Sequence, residues 1–265
     1  RLLRNGESLI FRDPGNDRDV LTYHKDIVQQ SVNGYEFEYK AGEFFQNNSY
    51  VLPLLVDHVL KHAKGGLNVD IYPCNYLIDA YCGSGLFSIC GAKHFVKVIG
   101  IEVSELAVKY AKLNSIKNNL HNIDFILGTS TSVFCDIVTS GIDQLSSSNK
   151  NTAKAKSNAN QTSELSEASD SGSDPSTSTS EVLFNIDETV VIIDPPRSGC
   201  DKIFLDQLFT FNPKKIIYVS CDPATQARDA DIIIKMGNYR ILNCTPFDLF
   251  PQTRHIENVI TFVRD

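Results

Sequence analysis

The chain has 265 residues, 42% apolar and 22% charged, which excludes full disorder and collagen-like repetition. Its 32 acidic residues against 25 basic ones leave a net charge of -7, which weighs against a protein that coats nucleic acid by bulk electrostatics. No run of about 18 apolar residues marks a membrane span, and the seven cysteines (74, 82, 90, 135, 200, 221 and 244) form no CxxC pair, so neither a zinc ribbon nor a disulfide scaffold is expected.

In chain order, the start Arg1-Leu2-Leu3-Arg4-Asn5, with the single methionine at Met236, reads as a piece of a longer protein. Residues 1–48 look like the remnant of an adjoining domain, with strands over 19–23 and 35–40 and no crossover helix between them. A helix over 50–62 opens the main domain, residues 49–265. The apolar run 76–81 is a buried strand that ends at Gly83 and Gly85, and a helix over 86–94 follows. Next come a strand over 96–101 and a helix over 104–118. Ser104 is its N-cap, with Leu106, Ala107, Tyr110, Ala111 and Leu113 on one side. Residues 123–127 are a third strand and a short helix comes after it. The remaining elements are strands over 189–193 and 215–219, a helix over 223–235, and strands over 239–245 and 256–263. Repeated strand-helix units of this kind imply a parallel sheet with right-handed crossovers and ligands at the carboxyl ends of its strands.

Residues 144–181 interrupt this pattern. They hold sixteen Ser or Thr, no aromatic residue, and Leu145 and Leu165 as the only large aliphatics, the composition of a disordered low-complexity insertion. From Asp143 to Glu188 there are eight acidic and three basic residues, so -5 of the net charge sits here and the rest of the chain is close to neutral. A local patch including Arg197, Arg228 and Arg254 could then hold phosphates.

Five stretches carry chemistry. Asp79-Ala80-Tyr81-Cys82-Gly83-Ser84-Gly85 joins strand to helix with glycines that let a ligand approach the backbone. Glu102, at the end of the next strand, can accept both hydroxyls of a ribose. The pattern serves dinucleotides and S-adenosylmethionine alike; without a third glycine to pack helix on strand for a pyrophosphate, it tilts toward S-adenosylmethionine. Asp194-Pro195-Pro196-Arg197 ends the fourth strand rigidly, leaving polar atoms at the cofactor mouth. Arg197 stands where amino-group methyltransferases carry a base-stacking aromatic, which argues against exocyclic-amine chemistry. Cys221 ends the fifth strand, with Asp222 as N-cap and Pro223 as first helical residue, a position expected to lower the thiol pKa. In Phe250-Pro251-Gln252-Thr253-Arg254-His255-Ile256-Glu257, an extended chain would put Thr253, His255 and Glu257 on one face, and Glu257 is a candidate general base. Phe44-Phe45-Gln46-Asn47-Asn48, before the first helix, could hydrogen-bond an adenosine or uracil edge or simply cap that helix.

Taken in order, Phe44 to Asn48, Asp79 to Phe87, Asp194 to Gly199, Val219 to Thr225 and Asp248 to Glu257 resemble the RNA uracil-5-methyltransferases, and within them the tRNA (uracil-5-)-methyltransferase branch of eukaryotic, fungal-like type. The resemblance covers residues 40–265 apart from the insertion. It implies a class I S-adenosylmethionine-dependent methyltransferase fold, Rossmann-like, with a seven-stranded, mostly parallel sheet, and an intracellular monomer that acts on RNA, with no metal and no membrane. It implies S-adenosyl-L-methionine as cofactor, with Gln46, Tyr81, Glu102 and Asp194 at cofactor-binding positions. Cys221 would be the nucleophile that adds to uracil C6, and Glu257 the group that removes the C5 hydrogen. The target uridine, expected in the T-loop of tRNA, would leave its stack to reach Cys221. Leu86 stands where bacterial members carry a polar Asn, so a side-chain hydrogen bond is lost there. The iron-sulfur cysteine cluster and oligonucleotide-binding barrel of some ribosomal RNA relatives are not visible. Two rivals remain: an RNA cytosine-5-methyltransferase, whose fourth-strand motif has Cys where this chain has Arg197, and a non-catalytic RNA-binding or RNA-folding module, against which the joint presence of Cys221 and Glu257 argues.

Overall fold

From Tyr76 onward the alternating pattern folds into a seven-stranded sheet in the computed structural model of the chain. The structure describes residues 27–46, 48–65, 72–128, 134 and 184–264, with the backbone of 11–12 and 20–21. The insertion and the short helix expected after residue 127 lie outside them.

Among the described residues, four short strands come first: β1 (Phe11–Arg12), β2 (Val20–Leu21), β3 (Ile27–Val32) and β4 (Tyr35–Lys40). They pair as two antiparallel ribbons, β1 with β2 and β3 with β4. Of the strand expected over 19–23, Val20 and Leu21 are described and lie in β2, while the others lie outside the described residues; β3, the partner of the expected β4, was not foreseen from the sequence. Helix α1 (Leu52–Lys64) follows. The sheet then builds from β5 (Tyr76–Ala80), α2 (Leu86–Gly91), β6 (Lys97–Glu102), α3 (Glu105–Lys117), β7 (Ile123–Leu127), β8 (Thr189–Ile193), α4 (Lys202–Phe211), β9 (Lys215–Ser220), α5 (Pro223–Gly237), β10 (Tyr239–Phe247) and β11 (Glu257–Arg264).

The strand order is β10-β11-β9-β8-β5-β6-β7. Strands β7, β6, β5, β8 and β9 are mutually parallel, while β11 runs antiparallel to both of its neighbours. A strand covered on both faces needs apolar side chains at every position, and β8 shows it: Val190 and Ile192 point into one core and Val191 and Ile193 into the other. The first core also takes Leu55, Val56 and Val59 of α1, and the second takes Phe204, Leu205 and Leu208 of α4 with Ile233 of α5.

Two further departures from the sequence reading have physical causes. Helix α4 was not foreseen, although Phe204, Leu205, Leu208 and Phe211 are buried at helical spacing and Asp201 caps it by accepting a hydrogen bond from the Phe204 N–H. On α3, Ser104 is the N-cap as expected, but Leu113 is exposed and Asn114 buried in its place. The Asn114 side chain pairs with the edge of β4, accepting from Glu38 N at 2.8 Å and donating to Glu38 O at 3.0 Å. Asn118, one turn on, repeats this with Glu36 at 2.9 and 2.7 Å. Two side-chain amides thus substitute for a neighbouring strand, satisfying an edge that would otherwise expose its backbone groups.

Candidate active site

The ends of β6, β5, β8 and β9 lie side by side, so Glu102, Tyr81, Asp194 and Cys221 come to one edge of the sheet. Because β11 is antiparallel, it contributes its first residue, Glu257, to that same edge. The β4–α1 connection brings Gln46 to Asp194. All six residues singled out from the sequence therefore gather at the carboxyl edge.

The glycine turn is built around two carboxylates. Asp79 is fully buried in β5, and one of its oxygens accepts from Ser88 N at 2.8 Å and Ser88 Oγ at 2.6 Å. Burial pushes its pKa up to about 7, with the Ser88 bonds opposing. Glu102 accepts from Gly83 N at 3.0 Å, Val103 N at 2.8 Å and Ser104 N at 2.9 Å, which fixes its carboxylate at the mouth. Tyr81 sits between them in the left-handed region, φ 64°, with its ring against Phe204 at 5.2 Å. An aromatic residue held at positive φ is strained, and such strain concentrates at ligand sites.

Gln46 is 5% exposed, and its Nε2 donates to Asp194 Oδ2 at 3.4 Å, while its Oε1 is buried without a hydrogen-bond partner. Asp194 is held well above the usual carboxylate range by burial, then by the nearby charges of Glu257 and Asp79. A buried acceptor lacking a donor is costly alone and suited to a ligand N–H. At Gly83, in the left-handed region, a Cβ would meet nothing within 4 Å, which leaves room beside the Glu102 carboxylate. An aminoacyl-nucleoside such as S-adenosylmethionine fits this set of donors and acceptors.

Asn48 is occupied structurally. Its Oδ1 accepts from Tyr50 N and Val51 N, both at 3.3 Å, and its Nδ2 donates to Leu249 O at 3.1 Å. Asn48 thus holds the turn that leads into α1; the helix cap expected as the alternative is not formed by its side chain, since the N-cap is Val51 without a side-chain cap. Asn47 lies outside the described residues.

Cys221 follows β9 directly and is half-buried. Its thiol pKa is raised, by burial first and then by the Glu257 carboxylate, against a hydrogen bond and charge from Arg197 that lower it. This corrects the expectation of a lowered thiol pKa. Burial and the Glu257 carboxylate outweigh the helix end, where the Asp222 carboxylate itself accepts from Ala224 N at 3.0 Å and Thr225 N at 3.1 Å. Glu257 is 2% exposed, its Oε2 has no hydrogen-bond partner, and burial raises its pKa to about 7 with Arg197 opposing. Contrary to the shared face expected for an extended chain, Thr253 and His255 do not continue the Glu257 strand. Thr253 N bonds Phe250 O at 3.1 Å in a turn, and the strand starts only at Glu257.

Of the arginines expected to hold phosphates, Arg197, Arg228 and Arg254 are all exposed, and Arg228 in addition donates to Asp229 Oδ1 at 2.9 and 2.7 Å and to Ser198 O at 2.9 Å. Six cysteines described by the structure are free thiols. Among the described residues, no helix is long and apolar enough to cross a membrane, and no cluster of three or more His, Cys, Asp or Glu could hold a metal ion.

A seven-stranded sheet of this order, with its site across the carboxyl edge, is the class I S-adenosylmethionine-dependent methyltransferase fold. Within that class, the family model for tRNA (Uracil-5-)-methyltransferase matches residues 10–140 and 162–265, and the chain belongs to this family. It is 37% identical over 251 residues to the tRNA (uracil(54)-C(5))-methyltransferase of Saccharomyces cerevisiae, an alignment covering 93% of this chain and 32% of that protein. It is 33% identical over 269 residues to the enzyme of the same name from Schizosaccharomyces pombe, covering 98% of this chain and 42% of that one. The chain thus spans less than half the length of these curated relatives. Among solved structures, that of Pyrococcus abyssi tRNA (uracil-54, C5)-methyltransferase in complex with S-adenosyl-L-homocysteine is similar, with a TM-score of 0.61 and 26% identity, covering 92% of this chain and 46% of that one.

Proposed function

We propose that this chain transfers a methyl group from S-adenosyl-L-methionine to C5 of a uridine in tRNA, the T-loop uridine, through a covalent bond between Cys221 and uracil C6. The observation that carries the reading is the placement of Cys221 and Glu257 directly beyond the last pair of the β9–β11 ladder, at the same sheet edge as Asp194 and Gln46. The names of the fungal and archaeal relatives support the same substrate class.

The cofactor, when bound, supplies the electrophilic methyl group. Gln46, Tyr81, Glu102 and Asp194 would hold it, with Glu102 on the ribose and the Gln46 carbonyl on a ligand N–H. Cys221 adds as thiolate to C6; the S–C6 bond forms and the C5–C6 π pair moves toward O4, making C5 nucleophilic. Once C5 carries its new methyl group, Glu257 takes the C5 proton. The C5–C6 double bond re-forms and the S–C6 bond breaks, returning the thiolate. A carboxyl with its pKa near 7 is matched to taking up that proton near neutral pH. Arg197 balances charge between the two groups.

Labelled-methyl transfer to tRNA by wild type and by Cys221→Ala tests this, together with denaturation-stable adduct formation on 5-fluorouridine-containing tRNA. Loss of both signals in Cys221→Ala is expected. Full methyl transfer by that variant would overturn the covalent route.

A further inference from the structure

The loop that follows Asp194-Pro195-Pro196 is fastened to one face of α5 at successive residues. Thr225 Oγ1 donates to Arg197 O at 3.0 Å, Arg228 Nη2 donates to Ser198 O at 2.9 Å, and Asp229 Oδ2 accepts from Cys200 N at 2.8 Å. Between the last two, Gly199 lies at φ +78°, and a Cβ there would come to 2.4 Å from Asp229 Oδ2 and 2.5 Å from Arg228 Nη2. Backbone and clamp are in direct contact, with no room for a side chain.

Asp229 is the centre of this clamp. It is fully buried in mid-helix, beside buried Ala230, where a lone carboxylate would be severely penalised. Every donor around it comes from a different piece of the site. Besides the Cys200 amide, it accepts from Tyr218 Oη at 2.8 Å and from the Arg228 guanidinium at 2.9 and 2.7 Å. Tyr218 lies in β9, three positions before Cys221, and α5 begins just after Cys221. One carboxylate therefore ties together the strand that presents the thiol, the helix that follows it, and the loop that carries Arg197. Arg197 is the cation whose charge acts on both Cys221 and Glu257.

Resting on the reading of Cys221 as the nucleophile, we propose that Asp229 is a positioning residue: it fixes the 197–200 loop so that the Arg197 guanidinium stays at the Cys221 thiol and stabilises the thiolate. The need for such a device follows from the site. The positive end of α5 is already occupied by Asp222, and Glu257 places a second negative charge beside the sulfur. A guanidinium on an exposed loop would supply its attraction only part of the time, and the attraction halves when the separation doubles. Three anchors on the loop backbone remove that freedom without touching the Arg197 side chain.

The test reads Cys221 directly. The rate of its alkylation by iodoacetamide is followed across pH 6 to 10 by peptide mass spectrometry in wild type, Asp229→Asn, Thr225→Val, Arg197→Ala and the double variant Arg197→Ala/Asp229→Asn. Asp229→Asn and Arg197→Ala should each slow alkylation near neutral pH by about tenfold and move the profile to higher pH. The double variant should be no slower than Arg197→Ala alone, because both act through one guanidinium. Exposed Cys244 in the same samples should react at an unchanged rate. Thr225→Val, which releases the Arg197 carbonyl and the longer bond of the same hydroxyl to Asp222 O but leaves the buried Asp229 network intact, should show a smaller shift in the same direction, and it decides the matter if Asp229→Asn fails to fold. A wild-type profile in the folded single variants, or slowing that multiplies in the double variant, would overturn the proposal. Alkylation needs no RNA, so failure of the uridine reading would show separately, as a wild type that forms no adduct with 5-fluorouridine-containing tRNA.

Discussion

Glu257 and Cys221 are the residues immediately beyond the last pair of the β9–β11 ladder. The register pairs Val219 with Val259 and Ser220 with Asn258, so Cys221 leaves β9 where Glu257 enters β11. Each group raises the cost of charging its neighbourhood: burial lifts the Glu257 carboxyl to about 7, and the Glu257 carboxylate in turn lifts the thiol. Both must be deprotonated to act, Cys221 as nucleophile and Glu257 as proton acceptor. Methyl transfer should therefore be lost as pH falls through about 7, with at least a tenfold drop in kcat/KM from pH 8 to pH 6. A flat profile over that range would count against both roles.

Glu257→Gln separates the two roles. The variant keeps the nucleophile and loses the proton acceptor, so addition and methylation can occur while elimination stalls. Turnover should fall by at least about 100-fold, the lower range for losing a general base. A denaturation-stable complex with ordinary, unfluorinated tRNA should accumulate, visible as a mobility shift under denaturing electrophoresis. Rapid turnover without such a complex would assign proton removal to another group.

The same substitution should stabilise the fold. A carboxyl whose pKa is raised in the folded state contributes stability that is present below its unfolded value and lost as pH rises through the folded one. For Glu257 that window runs from the ordinary 4.5 up to about 7. Glu257→Gln cannot ionise, so urea unfolding at pH 8 should show it more stable than wild type by up to about 3 kcal/mol, with the difference shrinking to under about 1 kcal/mol at pH 5. Equal stability at both pH values would mean that the buried charge is compensated by solvent.

Much of this site was legible because its signals are local. The all-apolar strand β8, the glycines after β5 and the Asp222-Pro223 helix start each encode their own geometry within a few residues. What the sequence did not reveal depends on partners brought from elsewhere. The thiol at the start of α5 looks activated until its burial is seen together with the carboxylate of Glu257, which arrives from a strand near the end of the chain. Asn114 replaces Leu113 in the buried face of α3 because its partner is the open backbone edge of β4, to which apolar periodicity is blind. Strand β3 was missed because only Val32 of its six residues is fully buried, so its alternation is weak.

Asn114 gives a prediction that joins scaffold to site. Besides its two bonds to Glu38, its Nδ2 donates to Ser84 O at 3.2 Å, inside the glycine turn. Asn114→Ala leaves the Glu38 amide and the Ser84 carbonyl unpaired, and should cost about 2 to 4 kcal/mol of stability at one buried site. The turn that carries Gly83 and the segment that carries Gln46 both lose this support, so the Michaelis constant for S-adenosylmethionine should rise more than kcat falls. Thermal unfolding and initial-rate kinetics on the same preparation would check the pair. A drop in stability with unchanged cofactor kinetics would confine Asn114 to holding the β3–β4 hairpin.

Two glycines of the cofactor region should fail in opposite ways when replaced by alanine. At Gly100 in β6 a Cβ would lie 2.5 Å from Phe125 Cδ1 and 2.9 Å from Ser88 Oγ, so the Phe125 ring must shift within the core. Gly100→Ala should lose about 1 to 3 kcal/mol of stability by overpacking, and should disturb the Ser88 hydroxyl that holds Asp79. At Gly83 a Cβ would meet nothing within 4 Å, so the fold bears only the left-handed backbone strain, about 1 kcal/mol. Its methyl group would instead fill the space beside Glu102 that a bound nucleoside needs. Gly83→Ala should therefore unfold close to wild type in urea while its affinity for S-adenosylhomocysteine, measured by calorimetry, falls by at least about tenfold. If Gly83→Ala bound the nucleoside as wild type does, the cofactor would not lie against this turn.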